Sequence, residues 1–527
     1  MQRPLGAQIS HMLKARDVDV IFGIPGVHNQ EMYRGIEEAG ITHVLARHEQ
    51  GAGFMADGYA RASGKPGVAY VITGPGLCNI MTPMGQAYSD SVPLLVISSC
   101  LDDVVSKNGQ LHQMKDQRAA ADTVCDWSFE ARTADAAYAM IDRAFVEFDT
   151  KRSLPKHVQV PISALESVAP PPPEPNEPPR GLRVNPEDVV SAAARLSSAK
   201  RPMFIFGGGA TGAAEHARGL LKTLRAASYT TYAGCGIVSS DDPLYYGSML
   251  EPANSIDELS KADLVVCIGT DLAEVDICRT ELGHQAPALH VNIDPAVLSR
   301  TSPKDERHLA DADAWLASVS QALEGHVADT QWTDEDVIRA RERGRATMDA
   351  SYPGIASLCD ALRAALPKDT MIYSDMTQIA YTAKVVWDME HPGHWHHPSG
   401  FGTLGYATPA AIGGAIARQG KPTIAMIGDY GFHYTMQELG VAVELGLSLP
   451  ILLWDNGKLK EIEDSMVRAQ IAPNAVIARN PDFCKLAEAF GARATAPKTV
   501  TDLQKAVQEA LTAQGPTLIY MTPKLIS

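Results

Sequence analysis

Asp429 and Asn456 stand 27 positions apart, each where an apolar run gives way to a glycine-containing turn, in MIGDYGFHYTMQELGVAVELGLSLPILLWDNGKLKEIED (426–464). An aspartate is a hard anionic oxygen ligand and an asparagine a neutral one. With a backbone carbonyl near Lys458 they suit Mg2+, which keeps few protein ligands and completes its shell with phosphate and water. Taken singly, Asp429 could equally start a helix and Asn456 make a turn. The surrounding pattern is longer than a cap or a turn requires.

A second candidate is Glu49, in RHEQGAGFMADGYAR (47–61). It follows the apolar run THVLA and precedes a glycine-rich helix start, where the helix macrodipole alone would favour a carboxylate. The elements that must hold these side chains are legible. TIAMI reads as a buried strand ending at Gly428-Asp429. Gly431 breaks the pattern, Tyr434 to Leu447 has helical spacing (Met436, Leu439, Val443, Leu447), and LPILLW is the next strand. Strand, helix, strand places both polar residues at the carboxyl edge of a parallel sheet, where ligands bind.

At 527 residues the chain is sized for about three domains. The 20% charged and 45% apolar composition is that of a globular protein with a sizeable core. A formal net charge of −16, with no long basic run, argues against a nucleic-acid surface. No signal-peptide hydrophobic region and no bilayer-spanning apolar stretch is evident, so a cytoplasmic protein without membrane partners is expected. The eight scattered cysteines contain no CxxC pair, which indicates neither a disulfide framework nor a zinc site.

Residues 1–168 alternate strand-like runs (18–24, 42–46, 67–72, 93–99) with helix-like ones, which predicts a parallel sheet covered on both faces. A proline-rich linker occupies 169–181, because proline removes the backbone donor that helix and sheet interiors need. A second α/β unit spans 182–330. Its Gly207-Gly208-Gly209 run lacks the full GxGxxG arrangement and reads as a tight turn. Charged helical residues from Asp334 lead to a third unit, 351–527. The fold class expected is α/β, with three doubly wound parallel-sheet domains.

The 429–456 pattern resembles the diphosphate–metal motif of thiamine diphosphate (ThDP) enzymes, which runs from Gly-Asp-Gly to Asn-Asn; Gln437-Glu438-Leu439 also falls where that family has it. Two positions depart: Tyr430 replaces the last Gly and Asp455 the first Asn. Residues 399–415 (SGFGTLGYATPAAIGGA) resemble the family's cofactor shelf, and Arg47-His48-Glu49 its glutamate segment. Gly23-Ile-Pro-Gly26 and TGPGLCNIMTPMGQAYSDSVPLL (73–95) are similar to the acetolactate synthase branch.

The resemblance implies a pyrimidine-binding, a central and a diphosphate-binding domain, with ThDP and Mg2+ as cofactors. It gives Gly428, Asp429, Tyr430, Gly431 and Asn456 to the diphosphate end, with Asp429, Asn456 and the Lys458 carbonyl on the metal. Asp375 and Gln378 would contact the diphosphate, Gly402 and Thr403 the pyrimidine, and Gly26 and Asn79 would line the cofactor. Leu404 would wedge between the two rings, an orientation effect worth several kcal/mol. Glu49 would bind N1′ of the aminopyrimidine and so promote loss of the thiazolium C2 proton.

In related decarboxylases an acid follows the Pro-Gly turn; here it is Val27, then His28. The paired histidines of pyruvate decarboxylases are missing, since His112 has no histidine beside it in the chain. Gln113, with His112 and Gln110, takes the place of a substrate-facing glutamine. The resemblance implies decarboxylation of a 2-oxo acid to an aldehyde through a C2 carbanion and enamine. WDNGKLKEIEDSMVRAQIAP is similar to the group that decarboxylates 5-guanidino-2-oxopentanoate; Glu461 and Glu463 would pair with the guanidinium or stand as solvated helix-start acids, and Lys458 and Lys460 nearby would instead favour an anionic substrate. The alternative is a carboligase of acetolactate synthase type, or an acetyltransferase. No FAD segment is recognisable and FAD is not expected. A homodimer or homotetramer is implied, with each site shared between subunits.

Overall fold

The computed structural model describes residues 2–176, 179, 181–252 and 254–526; Glu177, Pro178 and Arg180 of the expected linker lie outside the described residues. Several apolar runs form strands that end at or beside a glycine or polar residue, as at Gly23, Phe206-Gly207, Gly428 and Trp454-Asp455. The first sheet runs Thr42–Leu45, Val20–Gly23, Gly67–Val71, Leu94–Cys100, Lys156–Pro161 and Trp127–Glu130, every neighbour parallel. Its central strands are buried end to end, as expected of a parallel sheet with helices on both faces. Arg3–Pro4 pairs antiparallel with Val168–Ala169, joining the two ends of this region.

The second sheet is also parallel: Ala227–Thr230, Pro202–Phe206, Leu264–Ile268, Ala288–Asn292 and Glu306–Leu309. Its core is built on Phe204, Ile268, Leu289 and Trp315. The helix expected from Asp334 spans Asp334–Ser351 and opens with a capping box between Thr333 and Asp336. In the third sheet Met371–Ser374, Thr423–Gly428, Pro450–Trp454, Thr517–Met521 and Arg493–Thr495 are successive neighbours. Three parallel α/β sheets is the architecture expected.

By compactness the chain forms two units, the first holding 1–179, 372–376 and 398–525, the second the rest. The first unit carries both candidate regions. Two helices join them, Glu49–Ser63 and Ala407–Arg418. A Cβ on Gly58 would stand 1.9 Å from the Ala410 carbonyl oxygen, and one on Gly413 1.9 Å from that of Met55. Only glycine permits backbones this close.

One element differs from expectation. The helix after Gly428 begins at Asp429, runs to Thr435, tightens to 3-10 geometry over Met436–Glu438 and resumes at Leu439–Glu444. Gly431 therefore lies inside a helix. It is there because a Cβ would approach Asp375 Oδ1 to 3.1 Å, so it marks a close approach and not a break.

Gly58→Ala tests the helix contact. In an open helix this change gains about 1 kcal/mol. Here overpacking should cost about 1–3 kcal/mol, read as a lowered denaturant midpoint. An unchanged or raised midpoint would contradict the backbone-to-backbone packing.

Candidate active site

Glu49 is the first residue of its helix, 8% exposed, behind an N-cap in which His48 Nδ1 accepts from Gln50 N at 3.1 Å. Asn79 Nδ2, from the helix Pro75–Asp90, donates to Glu49 Oε2 at 2.8 Å. Gly76 lies so near that a Cβ would sit 3.3 Å from Glu49 Oε1. Two candidates from separate segments thus meet.

Behind Glu49 stands an acid given no role above. Glu438 is fully buried and its carboxylate accepts from Arg47 N at 3.0 and 3.2 Å. A Cβ on Gly51 would be 2.3 Å from Glu438 Oε1, so Gly51 leaves the space this carboxylate fills. Burial pushes Glu438 up to about 7 against the opposing backbone N–H groups, and Glu49 nearby adds to the rise.

The shelf hangs on Asp375. Its buried carboxylate accepts from Gly405 N at 2.8 Å, Ala407 N at 3.3 Å and Met376 N at 2.8 Å. It is committed to the shelf backbone, where the resemblance implied a diphosphate contact. Burial, the largest effect, raises it to about 6. Gly402 and Gly405 have φ of 67° and 86°, a bend that L side chains rarely adopt. Thr403 Oγ1 donates to Gln86 Oε1 at 3.0 Å, and Leu404 is half-buried. Gln378 opens a helix of the second unit.

At the diphosphate end Gly428 caps the helix and Asp429 is buried at its first position. Tyr430 rests against Tyr434, ring centroids 6.2 Å apart. Asn456 Oδ1 accepts from Lys458 N at 3.1 Å. Asn480 Nδ2 donates to both Asp429 Oδ2 (2.6 Å) and Asp455 Oδ1 (2.9 Å). Burial first, and the Asp455 charge also, raise Asp429 to about 6. Two carboxylates sharing one amide donor form a site that a cation would complete. Among the described residues no group of three or more His, Cys, Asp or Glu could hold a metal alone. That donor set suits Mg2+ finished by phosphate oxygens.

A histidine pair that the sequence does not show forms in space. His28 and His112 meet edge to face, ring centroids 5.0 Å apart, and both Nδ1 atoms are buried without a partner. The adjacent-histidine motif stays absent from the chain, and folding gives His112 a different histidine neighbour from 84 positions away. His112 has φ of 62°, and its carbonyl is packed on Gly74, where a Cβ would lie 2.3 Å from that oxygen. Gln117 steadies the turn: its Oε1 accepts from Gly74 N at 2.8 Å and its Nε2 donates to Ser99 O at 2.8 Å. Burial, then His112, lowers the pKa of His28. In the turn that carries His28, Gly26 N donates to Asn29 Oδ1 at 2.8 Å, while Asn29 Nδ2 is buried and unpartnered. These orphaned atoms beside the glycine turns fit a polar ligand. Val27 is 60% exposed.

Three further candidates are engaged with their own surroundings. Gln113 Nε2 donates to Val104 O and Lys107 O at 2.9 and 3.0 Å, stapling its loop. Glu463 pairs with Lys458 at 2.7 Å. Glu461 lies in the first turn of the helix Lys460–Arg468, which buries no residue.

Glu438 has a consequence for stability. Its folded-state value lies above the ordinary one near 4.5, so folding binds a proton, and stability falls as pH rises from about 4.5 through about 7. Glu438→Gln removes this dependence. Its thermal midpoint, measured without cofactor, should gain on the parent as pH rises from about 5 to about 8. A constant difference across that range would show that Glu438 does not carry the proton.

Models of the thiamine pyrophosphate enzymes match the chain as the N-terminal TPP binding domain over residues 3–120, the central domain over 189–319 and the C-terminal TPP binding domain over 375–521. A probable 2-ketoarginine decarboxylase of Pseudomonas aeruginosa is 40% identical, covering 98% of this chain and 93% of its own. The acetolactate synthase isozyme 1 large subunit of Escherichia coli is 27% identical, covering 99% and 94%. A probable acetolactate synthase large subunit of Methanococcus aeolicus is 28% identical, covering 96% and 90%. Glu49 and Asp429 fall within the two matched TPP binding domains, and the chain belongs to the thiamine pyrophosphate enzyme family.

Proposed function

We propose that the protein is a ThDP- and Mg2+-dependent decarboxylase that converts a 2-oxo acid to the aldehyde one carbon shorter, and that it favours 5-guanidino-2-oxopentanoate. The observation that carries decarboxylation to an aldehyde is the His28–His112 pair. Loss of CO2 leaves the former carbonyl carbon needing one proton, and a clustered imidazole pair is suited to deliver it.

When bound, ThDP supplies a carbon nucleophile for the 2-oxo group and an electron sink for the pair released with CO2. Glu49, aligned by Asn79, would hold N1′ of the aminopyrimidine. Asp429, Asn456 and the Lys458 carbonyl would hold Mg2+, with Gly428, Tyr430 and Gly431 lining the same end. The shelf at Gly402–Leu404 would receive the pyrimidine side. His28, whose pKa burial lowers, lies against His112; the pair passes one proton to the acyl carbon and recovers one from solvent. The balance is one 2-oxo carboxylate and one proton in, one aldehyde and one CO2 out.

The guanidino substrate is supported by the Pseudomonas relative's name and by the acids that follow the metal site. A guanidinium would compete with Lys458 for Glu463, and its planar two-donor face is the better match for a carboxylate. Carboligation is the second reading, supported by the acetolactate synthase relatives: CO2 is lost in the same way, and the acyl carbon then bonds to the carbonyl carbon of a second molecule, whose oxygen takes up the proton. The working form in this reading is a homodimer or homotetramer with shared sites. Apolar Phe401 and Tyr434, 51% and 47% exposed beside the shelf and the metal helix, favour a covering partner. Eight free cysteines suit a reducing cytoplasm, and no helix among the described residues is long and apolar enough to cross a membrane.

A substrate series with ThDP and Mg2+ tests the reading. CO2 release from the guanidino acid should exceed that from pyruvate and branched 2-oxo acids by about tenfold or more in kcat/KM, the value of one charged contact of 1.4 kcal/mol. Preference for pyruvate with acetolactate as product would replace it with carboligation. His112→Phe, which keeps the ring packing, should slow aldehyde formation by about 100-fold or more while leaving ThDP affinity unchanged. Full aldehyde turnover in that variant would remove the pair from the chemistry.

A further inference from the structure

Asp455 is where the metal pattern changes in charge, and its carboxylate is fully engaged within the protein. Oδ1 accepts from Gly457 N at 2.8 Å and from Asn480 Nδ2 at 2.9 Å, and Oδ2 accepts from Tyr520 OH at 2.7 Å. An asparagine here would offer one acceptor oxygen to three donors. The same Asn480 nitrogen reaches Asp429 Oδ2 at 2.6 Å, and Asn480 Oδ1 lies 3.2 Å from His433 Nε2, on the helix that Asp429 begins. Asn480 comes 51 residues after Asp429, and nothing in the metal motif points to it.

We propose that Asn480 is the positioning residue of the cation site, giving one N–H to Asp429 and one to Asp455 so that Asp429 is held in a single orientation toward the metal. Asp455 thus acts through Asn480 and not as a ligand. An amide has two N–H donors and one acceptor oxygen, and Asn480 uses both functions across three partners. A side chain that hydrogen-bonds a metal-ligating carboxylate typically controls affinity by 10–100-fold. Charge also favours this role. A neutral donor between two carboxylates reduces their repulsion without competing for the cation, as a lysine there would. Tyr520 and Gly457 hold the outer carboxylate, so Asn480 is braced from both sides.

This rests on the reading that Asp429 and Asn456 hold Mg2+, and the experiment separates the two claims. Mg2+ is titrated calorimetrically into the full-length protein at saturating ThDP, with thermal midpoints taken in parallel. Asn480→Ala should weaken the apparent Mg2+ affinity by about 10–100-fold with a midpoint close to the parent's, and Asn480→His, which keeps one N–H donor, should recover part of the loss. Affinity within about twofold of the parent in Asn480→Ala, while Asp429→Asn is severely impaired, would overturn the proposal alone. Unchanged affinity in Asp429→Asn would overturn the cation-site reading and this proposal with it. A loss in Asn480→Ala that merely follows a fallen midpoint, unrestored by histidine, would make Asn480 structural only.

Discussion

A buried positive charge from the chain itself ties the two functional regions of the first unit together. Arg61 donates to Asp57 Oδ1 at 2.7 Å and to Asp90 Oδ2 at 2.9 Å. Tyr406, at the shelf end, donates to Asp57 Oδ1 at 2.8 Å, and Gln86 links Asp90 Oδ2 (2.7 Å) to Thr403. Breaking such a buried network by removing one partner costs about 3–5 kcal/mol, because a charge is left uncompensated. The glycine contacts at Gly58 and Gly413 bring the helices close enough for this network to form. The helix that begins with Glu49 is thereby fixed relative to the shelf that ends at Tyr406.

Other buried acids act on the same principle, each holding a backbone in place. Asp375 gathers the shelf N–H groups, Glu438 those before Glu49, and Asp455 the turn at Gly457. Their environments divide the carboxylates into roles. Glu49 keeps a single neutral donor from Asn79, so it remains available to a ligand at its helix start. Asp375 and Glu438 are consumed by backbone and raised by burial, which suits anchors. Asp429 is crowded by a second carboxylate, which suits a cation. Residues of one chemical type thus take three functions from burial and donors alone.

Much of this was legible in the residues. The strands show as apolar runs ending in glycine or aspartate, because parallel strands are buried on both faces. Glu49, Asp429 and Asn456 were visible because strand ends and helix starts fall at recognisable breaks. What escaped was nonlocal. The partner of His112 comes from the Pro-Gly turn, and Asn480 reaches Asp429 from beyond the strand Pro450–Trp454 and the helix Lys460–Arg468. Gly431 was read as a breaker because sequence shows the missing side chain but not Asp375 behind it. Glu461, Glu463 and the nearby lysines were all legible, whereas the pairing of Lys458 with Glu463 is a matter of rotamers. Periodicity reports which face a residue occupies; it does not report which distant segment fills the space opposite.

The central claim is that the acyl carbon ends by accepting a proton. Its most direct measurement is turnover of 5-guanidino-2-oxopentanoate in D2O by the purified protein with ThDP and Mg2+, with products identified by mass. The account predicts one CO2 per substrate and an aldehyde carrying a single deuterium on its carbonyl carbon. CO2 release without that aldehyde, the acyl carbon appearing instead joined to a second carbonyl compound, would contradict it.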